Sequence, residues 1–180
     1  MSVQTSYQKA FFFAAQQHQQ VPQWIKGTTD VPYAVHIGNV AMEIIMAHHE
    51  SPCFNLELAV QIALLHDVLE DTPCPETILL EEFGEAVTTG VKALTKNKNL
   101  KDKNPMEDSI ERILGSNPEV GMVKLADRIT NLQPPPHLWS REKIELYYHE
   151  AVLLWEKLGH LNVVLSQRMA EQLLVYRSFF

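Results

Sequence analysis

Glycine is scarce in this chain, with seven among 180 residues, few for a β-sandwich or a dinucleotide-binding sheet. Cysteine is scarcer still. Cys53 and Cys74 are the two present, and their spacing is not that of a zinc ribbon. Two free thiols in a cytosolic protein are expected, although sequence alone leaves a disulfide open. Long apolar runs are missing as well. The stretch Phe11-Phe12-Phe13-Ala14-Ala15 is too short to span a bilayer. A secretory signal would need a longer apolar stretch and a more basic start than Lys9 provides. A cytoplasmic protein with no membrane partner is therefore expected. Cations, finally, are outnumbered: 15 Lys and Arg face 22 Asp and Glu, a formal net charge of −7. That balance argues against a nucleic-acid partner, whose phosphate backbone calls for a basic face. An anionic small molecule fits if positive charge gathers locally, and a bound metal ion is one such charge.

What is present points to helices. The composition is 46% hydrophobic and 21% charged, an ordinary globular balance, and the length suits one domain over residues 1–180. Thr5 or Ser6 is expected to cap a first helix running to about Gln20, with Phe12, Phe13 and Ala15 turned inward. Residues 21–31 read as a loop. Pro32 suits the first turn of a second helix ending near His49. Asn55 is placed to cap a third, from Leu56 to about Glu70. The two prolines of Thr72-Pro73-Cys74-Pro75 then force a turn. Helices are expected over Pro75–Phe83, from Glu85 to about Lys96, over Pro105–Leu114 and over Pro118–Leu132. Two more run from about Arg141 to Leu158 and from Leu161 to Phe179. Residues 96–104 are polar and read as a mobile loop. No segment alternates as a strand does. The fold class is all-α, a bundle of about eight to ten helices.

One constellation carries chemistry. His66-Asp67 ends an apolar run, His36 lies on the preceding helix, and Asp127 sits within Val-Lys-Leu-Ala-Asp-Arg. Carboxylates in apolar surroundings are seldom left without a partner or a metal. Two imidazoles and two carboxylates suit manganese or iron better than a thiolate-rich structural zinc site, with zinc still open. Four protein ligands on a six-coordinate ion leave room for water and a substrate oxygen, which is hydrolysis chemistry. Glu70 follows His66 by four residues and Asp71 follows Asp67 by four, so both should share the metal's helix face. They are expected to do general acid/base work or to position the attacking water. Asn131, four residues after Asp127, should face the same cavity, and Lys124 either supports a carboxylate or reaches solvent. His48-His49 ends a helix and is left out. His18, His137, His149 and His160 have no partner legible from spacing.

With those residues in place, the chain resembles the HD hydrolase domain of RelA/SpoT homologues. It is most similar to stand-alone small alarmone hydrolases, including the metazoan-type single-domain ones. The matching stretches are Phe13-Ala14-Ala15-Gln16-Gln17-His18, Pro32-Tyr33-Ala34-Val35-His36 and Ala63-Leu64-Leu65-His66-Asp67-Val68-Leu69-Glu70-Asp71-Thr72. Phe83-Gly84, Val123-Lys124-Leu125-Ala126-Asp127-Arg128 and Asn131-Leu132 complete the set. The resemblance implies one manganese ion and removal of the 3′-diphosphate of (p)ppGpp as pyrophosphate. It further implies that Glu70 and Asp71 assist the attacking water and that Asn131 contacts the nucleoside.

The departures lie around the nucleotide. Where the family carries an Arg-Lys pair between the first two helices, this chain has Lys26 as the sole cation, with Trp24 placed to stack on a base. The usual His-Pro is His36-Ile37, and Pro134-Pro135-Pro136 replaces a more polar stretch. A hydrolase of (p)ppApp, or of another nucleotide such as NADPH, is the alternative enzyme. A nucleotide-binding regulator without catalysis is the alternative of another class. Retention of all six residues, the four ligands with Glu70 and Asp71, speaks against it. Pairing of two copies is common for a helical domain of this size.

Overall fold

The computed structural model describes residues 2–21, 23–25, 28, 30–97, 100 and 104–180. Among them are nine α-helices and no strand: α1 (Val3–Gln19), α2 (Ala34–Glu50), α3 (Leu56–Leu65), α4 (Val68–Asp71), α5 (Glu76–Leu94), α6 (Pro105–Leu114), α7 (Pro118–Asn131), α8 (Arg141–Leu158) and α9 (Val163–Tyr176). Short 3-10 turns follow α8 and α9. The helices start where polar side chains satisfy free amides. Ser2, Asn55, Asn104, Ser140 and Asn162 each accept a hydrogen bond from the first turn of the helix they precede.

Two helices lie at the centre. Ala59, Val60, Ile62, Ala63, Leu64 and Leu65 of α3 are all fully buried, so this helix is apolar on every side and needs neighbours all round. It packs against α1, α2, α5 and α7. α7 is nearly as enclosed, through Val120, Met122, Val123, Leu125, Ala126 and Ile129. Each buried Val, Leu, Ile or Met side chain stabilises this arrangement by about 1.5–3 kcal/mol. α2 lies against both, and these three helices deliver the site residues. Gly90 lets α5 come close to α3, since a Cβ there would lie 2.5 Å from Ile62 Cδ1.

Several expectations change. α1 is capped by Ser2 rather than Thr5 or Ser6, and its buried face is Ser6, Ala10, Ala14 and His18. Phe12 points outward, 66% exposed. Phe13 instead meets Phe83 edge-on at 5.1 Å. α2 begins at Ala34, because Pro32 and Tyr33 supply the carbonyls that receive its first amides. The third helix stops at Leu65 and does not continue to Glu70. Asp67 (φ −101°, ψ 0°) breaks the repeat before the single turn of α4. The expected division between Phe83 and Glu85, by contrast, holds: α5 is two helical stretches joined at Gly84, whose φ of 78° suits glycine. α9 begins two residues later than Leu161, at Val163. Cys53 and Cys74 are free thiols. Among the described residues no helix is long and apolar enough to cross a membrane.

Candidate metal centre and active site

His36 projects from α2, His66 and Asp67 from the junction of α3 and α4, and Asp127 from α7. One donor atom from each of His36, His66 and Asp67 lies within 4.8 Å of the others. Asp127 Oδ1 joins them, 3.3 Å from His36 Nε2 and 3.7 Å from His66 Nε2. His66 and Asp67 are consecutive, and at the junction of α3 and α4 their side chains bend to one point, His66 Nε2 lying 3.0 Å from Asp67 Oδ2.

Each of the four is held from behind. His66 Nδ1 donates to the carbonyl of Ala63 at 2.8 Å, which fixes the ring and turns Nε2 inward. His36 Nδ1 lies 3.4 Å from Thr130 Oγ1. The Tyr33 hydroxyl donates to Asp67 Oδ2. Lys124 Nζ donates to Asp127 Oδ2 at 3.1 Å, and Asn131 Nδ2 to Asp127 Oδ1 at 2.6 Å. Lys124 thus supports a carboxylate and does not simply reach solvent.

The electrostatics follow from this crowding. Burial alone would raise Asp127, but Lys124, His66 and His36 outweigh it and hold the carboxyl well below its usual range. Asp67 is likewise held down, against its burial, by the His66 imidazole. Burial opposes the charged form of His66, yet Asp67 and Asp127 raise it to about 9. Tyr33 is pushed far up by burial and by the Asp67 charge, so it stays a donor.

The donor set fits a divalent cation. His36 Nε2 and His66 Nε2 are buried and make no hydrogen bond, although carboxylate oxygens stand 3.0–3.7 Å away. Orphaned imidazole nitrogens aimed at shared carboxylates are what a cation of mixed nitrogen and oxygen preference satisfies.

Above this cluster opens a cavity of about 530 Å³, lined by Trp24, Tyr33, Asp67, Glu70, Asp71, Lys96, Lys124, Arg128, Asn131 and Tyr147 among others. Glu70 and Asp71 both face it, carried there by the turn of α4 and not by continuation of α3. Glu70 is neither solvated nor alone: Oε2 accepts the backbone amide of Lys96 at 2.9 Å and Oε1 its ammonium at 2.7 Å. Asp71 Oδ2 accepts from Gln23 Nε2 at 2.7 Å. Burial and the Asp67 charge push the Asp71 carboxyl up. Trp24 is 46% exposed at the cavity wall. Lys26 lies outside the described residues, as does part of the polar stretch 96–104.

Sequence reasoning missed His18, Gln23, Tyr33, Lys96 and Arg128. Arg128 is buried over the Tyr147 ring, its guanidinium carbon 4.1 Å from the centroid. His18, given no partner from spacing, is buried and bonded to Gln23 at 2.8 Å. Tyr33 and Arg128 stood in the motif stretches, adjoining the ligands, and that was the available signal. A second cavity of about 290 Å³ shares Asn131 with the first and is walled by His36, Pro134, Pro135, Pro136, Trp139 and Tyr176.

No protein-family model matches the chain. Individual relatives do. The human guanosine-3′,5′-bis(diphosphate) 3′-pyrophosphohydrolase MESH1 is 30% identical over 161 residues, 87% of each chain. The zebrafish (Danio rerio) MESH1 is 28% identical over 163 residues, 88% of this chain and 87% of its own. An Aquifex aeolicus guanosine-3′,5′-bis(diphosphate) 3′-pyrophosphohydrolase is 30% identical over 160 residues, 85% of this chain but 21% of its own length. The chain therefore spans about a fifth of that longer relative. A solved structure of a metazoan SpoT ortholog that hydrolyses ppGpp superimposes with a TM-score of 0.79, at 27% identity, over 97% of both chains. With the HD-type constellation in place on this fold, the chain belongs to the MESH1 family of guanosine-3′,5′-bis(diphosphate) 3′-pyrophosphohydrolases.

Proposed function

We propose that this protein hydrolyses the 3′-diphosphate of (p)ppGpp, releasing pyrophosphate and GDP or GTP. One observation carries the reading: the two imidazoles and two carboxylates converge on one point at the cavity that Glu70 and Asp71 also line. In this reading His36, His66, Asp67 and Asp127 hold a single divalent ion, and manganese suits that ligand set. When bound, such an ion lowers the pKa of a water and neutralises charge on the phosphorus under attack.

The chain's own residues supply the rest. Lys124 and Asn131 keep Asp127 ionised and oriented, and Tyr33 does the same for Asp67. Asp71, one of whose oxygens is occupied by Gln23, accepts the proton of the attacking water through the other. The water oxygen bonds to the phosphorus next to the ribose as the bond to the 3′-oxygen breaks. The 3′-oxygen takes a proton from solvent, and pyrophosphate leaves. Glu70 helps to position the attacking water and anchors Lys96 at the cavity wall, where its ammonium faces the anionic substrate. Asn131, shared by both cavities, contacts the nucleoside where it passes into the smaller one, with Trp24 at the wall on the side of the α1–α2 connection; Lys26 is kept from the sequence as a further substrate-binding residue.

A second reading concerns the base. The smaller cavity is walled in part by three consecutive prolines, which have no amide hydrogen to offer guanine O6, while its Asn39, Asn131 and Gln133 side chains can both donate and accept. That favours testing adenine nucleotides beside guanine ones. Purified protein would receive (p)ppGpp, (p)ppApp and NADPH in parallel, with manganese and with chelator. Pyrophosphate release from (p)ppGpp, lost with chelator and in Asp67→Ala, is expected. Survival of all three substrates in the presence of manganese refutes the proposal.

A further inference from the structure

The connection between α1 and α2 runs along the cavity wall through Gln23, Trp24 and Tyr33, and its described residues form a small braced unit. Trp24 and Pro32 pair across it as an isolated antiparallel bridge, and Ile25 N donates to Val31 O at 3.1 Å. Thr28 closes the tip, donating from both its amide and its hydroxyl to the Ile25 carbonyl at 3.0 and 2.9 Å. The brace brings Gln23 and Tyr33 side by side, although nine residues lie between them.

Gln23 then bridges two groups. Its Oε1 lies 2.8 Å from His18 Nδ1, and its Nε2 lies 2.7 Å from Asp71 Oδ2. The direction of the amide is fixed by chemistry. A carboxylate only accepts, so Nε2 must face Asp71 and Oε1 must face His18, which makes His18 Nδ1 the protonated nitrogen. His18 is buried among Ala10 and Ala14 on the inner face of α1, with its ring 4.9 Å from that of Tyr33. Burial lowers its pKa and keeps it a neutral donor. Tyr33 in turn lies 5.0 Å from the His36 ring and donates to Asp67. One connection thus grips a carboxylate on each side of α4.

We infer that Gln23, held by the Nδ1–H of His18, is a positioning residue for Asp71 and fixes which of its oxygens meets the attacking water. This rests on the role given to Asp71 above. The amide occupies one oxygen of the carboxylate without neutralising it, leaving Asp71 a competent base. A lysine or arginine at position 23 would form an ion pair with Asp71 and lower its basicity.

The test uses the manganese-loaded enzyme with Gln23→Met, which keeps length and loses the donor, His18→Phe, which keeps the ring, and the double variant. Gln23→Met should lower kcat about tenfold with KM within about twofold, the signature of lost alignment. His18→Phe should lower kcat less, and the double variant should be no worse than Gln23→Met, because both act through one chain of bonds. Manganese affinity, by titration calorimetry, should stay unchanged throughout. A rise in KM with kcat intact would make Gln23 a substrate contact and overturn the inference, as would additive losses. Nitrogen-15 NMR of the His18 ring supplies a readout independent of turnover, with Nδ1 protonated and Nε2 bare at neutral pH. The opposite tautomer sinks the relay even if the enzyme is active. Full turnover in Asp71→Asn sinks the Asp71 assignment, whatever the NMR shows.

Discussion

Removing the cation should expose a proton that takes its place. In the metal-free protein His66 is raised from 6.5 to about 9, because Asp67 and Asp127 favour its charged form more than burial opposes it. A folded pKa above the unfolded one contributes stability that is complete below about pH 6.5 and lost as pH climbs through about 9. The folded state binds that proton roughly 300-fold more tightly, which is about 3 kcal/mol. The ion pair with Asp67 is the same interaction seen from the other side, so it is counted once. For a domain of this size about 1 kcal/mol moves Tm by about 2–4 °C, so Tm should fall by about 6–12 °C across that window. Thermal melts of chelator-treated protein at pH 6.5, 7.5 and 9 read the effect directly. His66→Gln should remove most of the slope. With manganese the order reverses, since the ion and the proton compete and affinity for the ion rises with pH over the same range. A level Tm from pH 6.5 to 9 in chelator, or an unchanged slope in His66→Gln, refutes the reasoning.

Three other outcomes are expected. Glu70→Gln should keep its manganese in a calorimetric titration yet lose most of its turnover, whereas loss of the metal would place Glu70 among the ligands. Asn131→Ala removes the 2.6 Å bond to Asp127 Oδ1, and manganese affinity should drop about 10–100-fold; unchanged affinity would make Asn131 a substrate residue alone. Gly90→Val drives a Cβ to within 2.5 Å of Ile62 Cδ1 and 3.2 Å of Val120 Cγ2. Chemical denaturation should show a loss of about 1–3 kcal/mol, and a neutral result would mean that α3 and α5 part easily.

The sequence was most legible where the physics is local. Asn55, Asn104 and the prolines at 105 and 118 sit at the helix starts that their chemistry favours, and helix order followed. Spacing brought the four donors into one hypothesis because each lay on, or at the end of, a strongly apolar helix. It failed where the answer depends on a distant partner. Lys96 meets Glu70 across 26 residues and Gln23 meets Asp71 across 48, and no periodicity announces either. The break after Leu65 was hidden because His66 itself keeps helical angles and Asp67 departs only modestly from them. Phe12 illustrates the opposite error. Apolarity alone does not say which side of α1 faces inward, and the small residues Ala10 and Ala14 decide it by letting α3 approach.

At the junction of α3 and α4, His66-Asp67 is a chelating pair joined by one peptide bond. Once either donor has engaged a cation the other is already beside it, with almost no loop entropy left to lose. His36 and Asp127 come from separate helices and depend on α2 and α7 holding their places. The four donors are therefore unequal in kinetics even where they are alike in distance. Dissociation should begin at α2 or α7 and end at the pair. Core substitutions that loosen α2 should accordingly speed manganese release while leaving a residual, weaker binding mode, whereas a residue inserted between His66 and Asp67 should abolish both. Equal release rates in an Ile37→Ala variant and the parent protein would contradict that order.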